Sequence, residues 1–319
     1  MNNNDSLVSI SILTYNSSEF IIETLESIKA QTYQNIELVI SDDCSTDNTV
    51  TLCKSWVKEN GKRFANVNIL ETDHNTGVSA NGNRARMACK GEWRKGIGAD
   101  DKLTPTCIAD YMSYVEKNPD AELIFGRVDY FGDMEKAARV EKNLHYGFFF
   151  LNSREQYLRL LLGMQFPSPA GFSRRTVVER FGGYDESIPM IEDWPFWLKV
   201  IYNGTKTNFI NKVTVHYHLR ESLSLSKKPS PKFVESQKLL KEYIHGLQMQ
   251  ENWLCRLYFN GIEKMRQPGI AGMMAKVGHF FNPYTWYQNY LYRKICRYDR
   301  RLMLNLNRHR DEDTTGVIV

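Results

Sequence analysis

The chain has 319 residues, 41 Lys and Arg against 37 Asp and Glu, and a formal net charge of +4. That length suits one large α/β domain with an appendage, and so small a positive balance gives no ground for a nucleic-acid partner. No apolar run reaches the roughly 18 residues of a spanning helix, and the start, Met1-Asn2-Asn3-Asn4-Asp5, has neither the basic nor the apolar region of a signal peptide, so a cytoplasmic location is expected.

An apolar strand is expected over residues 7–13, then a turn from Thr14 to Ser17, then a helix that buries Phe20, Ile21, Leu25 and Ile28 on one face. The unit repeats: a strand over 36–40, an acidic loop over 42–47, a helix over 46–59 and a third strand over 67–70. A loop over 72–76, a helix over 78–89, a strand over 93–97 and the turn Gly98-Ala99-Asp100-Asp101 follow, and Pro105 opens another helix. Strands alternating with helices imply a mostly parallel sheet flanked by helices. Ligands of such sheets bind beyond the carboxyl ends of the strands, so Tyr15, Asp43, Asn75 and Asp101 are expected at one crevice.

Past a strand over 123–128 the pattern loosens, and 130–150 reads as a hairpin or excursion. A helix over 153–162, a proline-containing loop over 164–171, a helix over 175–181 and the turn Gly182-Gly183-Tyr184-Asp185 come next. The helix over 193–203 begins at the acidic pair Glu192-Asp193, and two strands, 207–210 and 213–219, end this part. The organisation expected is a domain over 1–224, a nucleotide-binding part over 1–129 with an acceptor-side part over 130–224, a linker over 225–231 and a helical region over 232–319. Six cysteines without CxxC spacing argue against a zinc ribbon and a disulfide framework.

Three acidic pairs, Asp42-Asp43, Asp100-Asp101 and Glu192-Asp193, stand at strand ends or a helix start. Carboxylates gathered at one cleft repel one another and any phosphate unless a divalent cation or a proton-transfer task accounts for them. Mn²⁺ or Mg²⁺ held by Asp101, with Asp100 through water, would reverse the local field and stabilise a leaving diphosphate. A carboxylate at Asp43 suits a base that presents an imino N–H, which favours UDP or dTDP over a cytidine nucleotide and allows GDP. The plainer reading of each pair is a loop turn or helix cap, which is the one adopted for Thr46 and Asp47.

Four motifs occur in order: Ser9-Ile10-Ser11-Ile12-Leu13-Thr14-Tyr15-Asn16, Ile40-Ser41-Asp42-Asp43-Cys44-Ser45-Thr46-Asp47, Asn75-Thr76-Gly77-Val78-Ser79-Ala80 with Asn83, and Gly98-Ala99-Asp100-Asp101. Together with Glu192-Asp193-Trp194 they resemble glycosyltransferase family 2 over about residues 7–224. The resemblance implies a GT-A (Rossmann-like) fold, a nucleotide-sugar donor, a divalent metal and inversion at the anomeric carbon. It places Thr14, Tyr15, Asn16, Asp43, Asn75, Gly77, Asn83 and Asp100 at the nucleotide, Asp101 on the metal and Asp193 as the base that deprotonates the acceptor hydroxyl, with Glu192 in support.

Two departures stand out. Where the family has Ala-Arg-Asn this chain has Asn81-Gly82-Asn83-Arg84, which moves the arginine about 100° around its helix and puts its usual contact in question. Tyr217-His218-Leu219-Arg220 exchanges the imidazole and guanidinium positions of the family pattern, leaving His218 or Arg220 as the diphosphate contact. His216 and His218 share a strand face, as a metal pair would, although most such pairs are surface or core residues.

The carboxyl-terminal helices mix Lys and Arg with Trp and Tyr. They read either as an interfacial surface for the anionic cytoplasmic face of a membrane, or as a packing or homo-oligomer appendage with a solvated basic face. The function expected is transfer of a sugar from a UDP- or dTDP-sugar to a hydroxyl of a glycan or lipid-linked saccharide, in cell-surface polysaccharide synthesis. The alternative is a catalytically silent nucleotide-sugar or glycan-binding protein of the same fold.

Overall fold

The computed structural model describes residues 6–220, 229–265 and 270–309. In chain order the elements are β1 (Val8–Thr14), α1 (Ile21–Lys29), β2 (Ile36–Asp42), α2 (Thr49–Asn60), β3 (Asn66–Leu70), α3 (Val78–Ala88), β4 (Trp93–Gly98), β5 (Lys102–Leu103) and α4 (Cys107–Lys117). There follow β6 (Leu123–Gly132), α5 (Met134–Glu141), α6 (Ser153–Leu160), β7 (Gly171–Arg174), α7 (Arg175–Phe181), α8 (Asp193–Tyr202) and β8 (Thr207–Leu219). Four helices close the described chain: α9 (Pro231–Gln250), α10 (Trp253–Met265), α11 (Ile270–Phe281) and α12 (Pro283–His309).

The eight strands form one sheet in the order β3-β2-β1-β4-β7-β6-β8-β5. Every residue of β2 is buried, as are all but one of β1, because both sheet faces are covered. The apolar stripe of α1, Ile21, Leu25 and Ile28, is buried in the same core. β1 pairs in parallel with β2 and β4, and the register sets Thr14 opposite Asp42 and Leu13 opposite Gly98. In-register parallel strands end at one sheet edge, so the loops that begin at Tyr15, Asp43 and Ala99 leave the sheet side by side.

β7 is the element that sequence periodicity passed over. Only its first residue falls in the loop expected over 164–171, and the strand lies mid-sheet, antiparallel to both β4 and β6. Four residues, Gly-Phe-Ser-Arg, are too short for alternation to register. Two other expectations change. The 130–150 segment holds the end of β6 and the helix α5, capped by Asp133, which accepts from the Lys136 N–H. The two strands expected over 207–219 are one strand, β8, whose pairing with β6 shifts register near Phe125 and Arg127.

The chain divides into two compact units, residues 1–144 with 167–240, and residues 145–166 with 241–319. Residues 145–166, expected on the acceptor side of the first domain, therefore pack with the carboxyl-terminal helices. Their ties are Lys294 to Glu155 at 2.9 Å, His145 to Asp299 at 3.2 Å, and a paired Arg154–Glu251 contact. A capping box between Asn152 and Glu155 opens α6. Of the expected linker, residues 225–228 lie outside the described residues, and Pro231 already belongs to α9.

Lys95 is fully buried on β4, on the same side as Trp93 and Ile97. Its ammonium is wrapped by carbonyl oxygens of Pro169, of Gly96 at 3.2 Å and of Gly171 at 3.4 Å. A buried cation persists only where such acceptors replace water, and burial lowers its pKa. At the β6 irregularity, a Cβ on Gly126 would stand 2.5 Å from the Thr214 hydroxyl oxygen and 2.9 Å from that of Tyr111. Gly126→Ala is therefore expected to destabilise the first unit by about 1–3 kcal/mol through overpacking, which urea unfolding followed by tryptophan fluorescence would measure.

Candidate active site

Residues 98–101 turn sharply after β4. A Cβ on Gly98 would lie 3.1 Å from Asp100 Oδ1 and 3.3 Å from Asp101 Oδ2, so the glycine keeps both carboxylates close to the backbone. The turn is held from below by Thr24 of α1, whose hydroxyl is shared between the carbonyl oxygens of Ala99 at 2.9 Å and Asp101 at 2.8 Å. From the other side β8 closes on it: the His218 N–H donates to Asp101 Oδ1 at 2.9 Å, and Arg220 Nε donates to Asp100 Oδ2 at 2.7 Å.

Asp101 is only 3% exposed, and its carboxyl is pushed up to about 8 by burial and by Asp100, against the opposing pull of the His218 N–H, Lys95 and Arg220. That imbalance marks a site short of positive charge. Among the described residues no three His, Cys, Asp or Glu side chains gather as a ligand set. A hard cation such as Mg²⁺ or Mn²⁺ needs only one or two protein carboxylates when substrate phosphates and water complete its shell, so Asp101 with Asp100 fits one. The His216 and His218 pair does not form this set. His216 lies 3.5 Å from Asp129, while the His218 ring stacks on Phe131 and meets Phe20 edge-on. Of the two diphosphate candidates, Arg220 thus joins the Asp100 carboxylate, and the His218 ring sits in an aromatic slot.

The Asp42-Asp43 loop is built inward. Asp42 accepts from the Thr14 hydroxyl at 2.7 Å and from the Ser45 N–H and hydroxyl, and Asn16 Oδ1 accepts from the Thr46 N–H at 2.8 Å, so the β1 and β2 loops are tied together. Asp47 forms an Asx turn just before α2, accepting from the Thr49 N–H and hydroxyl and from the Ser18 N–H. Thr14 is buried, whereas Tyr15 is 49% exposed and its ring is free to meet a base.

Asp43 departs from an open carboxylate in being bonded within the protein. Its carboxylate accepts the Thr76 N–H at 3.0 Å, the Thr76 hydroxyl at 2.5 Å, the Gly77 N–H at 2.7 Å and Arg84 Nη2 at 2.9 Å. Burial would raise its pKa, but these bonds outweigh burial and hold it below the usual aspartate value. Three of these donors share Oδ1 and only the Gly77 N–H reaches Oδ2, so the carboxylate is anchored while Oδ2 keeps an acceptor position. Arg84, set aside in the sequence because it is displaced by one position, is the ion-pair partner of Asp43. Asn75 donates to the Asp43 carbonyl at 3.4 Å and accepts from Lys232 at 3.2 Å.

Asn83 also departs from the nucleotide group. Its amide donates to the Tyr184 carbonyl and Glu186 and accepts from the Tyr184 N–H at 2.7 Å, clamping the 182–186 turn. Gly77, at φ 98°, has no room for a side chain: a Cβ would stand 2.7 Å from the Pro189 carbonyl oxygen. Ser79 bonds the carbonyls of Ile188 and Pro189 through its hydroxyl and N–H. The α3 start is thereby fastened to the segment that leads into Glu192 and Asp193.

At the start of α8 the Asp193 carboxylate accepts the Trp194 N–H at 2.7 Å and a bond from Ser168, whose oxygen also accepts Trp197 Nε1 at 2.8 Å. Burial raises both Glu192 and Asp193, with Asp193 adding to the rise on Glu192. Arg86, stacked 3.7 Å over Tyr184, is the cation that faces Glu192. The decisive observation concerns Tyr217, whose phenol is raised first by burial and then by Asp101, Asp100, Asp193 and Glu192 together. Two acid pairs some ninety positions apart in sequence thus share one electrostatic neighbourhood.

Residues 9–181, more than half of the chain, match the sequence profile of Glycosyl transferase family 2. The chain belongs to that family. This family 2 chain is 26% identical over 263 residues to the Escherichia coli UDP-Glc:alpha-D-GlcNAc-diphosphoundecaprenol beta-1,3-glucosyltransferase WfaP, covering 81% of the chain and 95% of the relative. It is 32% identical over 120 residues to the E. coli putative colanic acid biosynthesis glycosyl transferase WcaA, covering 36% of the chain and 39% of the relative. In structure it resembles S. aureus TarS 1–349 in complex with UDP-GlcNAc, at TM-score 0.58 and 19% identity over 75% of this chain and 69% of that one. It also resembles the Pyrobaculum calidifontis mannosyltransferase PcManGT in complex with GDP-Man and Mn²⁺, at TM-score 0.51 and 16% identity over 90% and 85%. These likenesses establish the GT-A fold of this family 2 enzyme.

Thr24, Arg84, Arg86, Lys95, Ser168, Tyr217 and Lys232 were not among the expected site residues. Arg84 and Tyr217 stand in motifs noted above, and Lys95 left its own signal, a lysine on the buried side of a strand pattern Trp93-x-Lys95-x-Ile97. The raised Glu192 carboxyl carries a sign that can be checked. Between the ordinary glutamate value of 4.5 and its raised value, the folded state holds a proton that the unfolded state has released, so stability falls as pH climbs through that window. Glu192→Gln should flatten that part of the melting-temperature profile between pH 5 and 8, as read by scanning calorimetry; a parallel profile would show that Glu192 titrates normally.

Proposed function

We propose that this family 2 glycosyltransferase moves a sugar, with inversion, from a UDP- or dTDP-sugar to a hydroxyl of a glycan or lipid-linked saccharide in polysaccharide assembly. The reading is carried by the convergence of Asp100-Asp101 and Glu192-Asp193 on Tyr217. Action of both pairs on one phenol supports a donor diphosphate at the first and a base at the second in one crevice. Asp101, with Asp100, would hold Mn²⁺ or Mg²⁺, which supplies charge neutralisation for the leaving diphosphate.

The rest of the chemistry belongs to the chain. Asp193, oriented by the Trp194 N–H and Ser168, takes the proton of the acceptor hydroxyl as that oxygen attacks the anomeric carbon opposite the diphosphate. Its raised pKa makes it a stronger base near neutrality than a solvated aspartate. Glu192 stays protonated beside it and lends a donor to acceptor or base. The exposed Tyr15 ring offers a stacking face for the base, and Asp43 acts by fixing Thr76, Gly77 and Arg84 around it. The name of WfaP, with a UDP-linked donor and a diphosphoundecaprenol-linked acceptor, supports both the uridine donor and the lipid-linked acceptor class.

Asp193→Asn should keep Mn²⁺-dependent UDP binding by calorimetry while transfer, followed by chromatography of the glycosylated acceptor, drops about 10²–10⁴-fold. Asp101→Asn should instead remove the Mn²⁺ dependence of UDP binding. Undiminished transfer by Asp193→Asn would sink the base assignment, and a parent protein that binds donor yet never turns over would favour the silent binding protein.

A further inference from the structure

The second unit shows a surface that its own packing leaves uncovered. On α11, Met273, Val277, Phe280 and Phe281 fall at i, i+4, i+7 and i+8, one helical face, and each is more than half exposed, as is Met274 beside them. The opposite side of α11 is the packed one: His279 stacks on Tyr258 of α10 at 4.7 Å. Trp286 of α12 donates its indole N–H to the Phe280 carbonyl at 2.9 Å, which places an exposed indole at the edge of the same apolar stripe. Trp253 and Leu257, one turn apart on α10, are likewise exposed. Soluble surfaces seldom leave so many large apolar side chains together without a partner.

Along α12 the exposed positions change character in one direction. Trp286, Tyr290, Arg293 and Arg297 follow at i, i+4, i+7 and i+11, with Arg300 and Arg301 beyond them, all exposed. Among the described side chains of α11 and α12 the one acid, Asp299, is turned to His145 and the Gly147 N–H. We propose that the outer face of α10, α11 and α12 seats on an anionic lipid bilayer surface, with the α11 stripe in the acyl boundary and the α12 arginines on lipid phosphates. Aromatic side chains at headgroup depth and cations beside an apolar stripe are the features of an interfacial helix. Among the described side chains of this face a second copy would bring no free carboxylate to the arginines, whereas anionic headgroups supply the counter-charge. Among the described residues no helix is long and apolar enough to cross a membrane, so the seat is peripheral.

The test uses the full chain and sedimentation with vesicles of phosphatidylcholine alone or with about one third phosphatidylglycerol. Binding is expected to the anionic vesicles, weaker as salt rises, with a blue shift of tryptophan emission. Val277→Glu with Phe280→Glu should lower partitioning at least about tenfold, and Arg293→Glu with Arg297→Glu should remove most of its salt dependence. All four positions are on the surface, so melting temperatures should match the parent. Absence of binding, equal binding to neutral vesicles, or binding unmoved by either double variant would overturn the proposal. So would self-association, by analytical ultracentrifugation, that Val277→Glu with Phe280→Glu abolishes in a protein indifferent to vesicles. Vesicle binding requires no sugar transfer, so its failure is distinct from failure of the proposed reaction.

Discussion

The site depends on a carboxylate taken out of water beside another of the same sign. Asp101 is buried at the end of β4 with Asp100 next to it, and the groups that oppose the resulting charge are one backbone N–H, the sheathed ammonium of Lys95 and the guanidinium of Arg220. Such an arrangement is costly in isolation and persists only because the surrounding backbone over-determines it. Thr24 from α1, Gly98 in the turn and the end of β8 each remove one way for the pair to relax. The same features that make the pair costly on its own are those the proposed cation would relieve.

A second constraint links that site to the acceptor side. Lys95 reaches from β4 to the carbonyls of Pro169 and Gly171, and the loop it holds carries Ser168, which in turn orients Asp193. β7 begins where that loop ends and pairs with β4, so the strand that positions Asp101 and the loop that positions Asp193 are neighbours in one sheet. Packing, capping and chemistry are here the same set of contacts. The Asp43 loop is held in the same way, its carboxylate fixing the residues that lead into α3.

Much of this was legible in the chain itself. The βα alternation and its apolar periods imply strands β1 to β4 and the helices between them, because a period of two or 3.6 follows from local backbone geometry. Right-handed parallel connections then place Tyr15, Asp43 and the Asp100-Asp101 turn at one edge, as the β1 register bears out. The acid pairs, the turn at Asp47 and the glycine at 77 could be named for the same reason: each is a local motif with a local mechanism.

What only the tertiary structure decided is which of those groups meet. Arg84 pairs with Asp43 although it stands one position from its expected place, and Asn83 turns to Tyr184, because the helix packs in one rotation that no local rule specifies. The mid-sheet place of β7, the union of 145–166 with the carboxyl-terminal helices, and the shared influence of two distant acid pairs on Tyr217 are likewise long-range outcomes. Periodicity reports which face of an element is apolar; it carries no information about the partner that covers it, and that choice is made by packing of the whole chain.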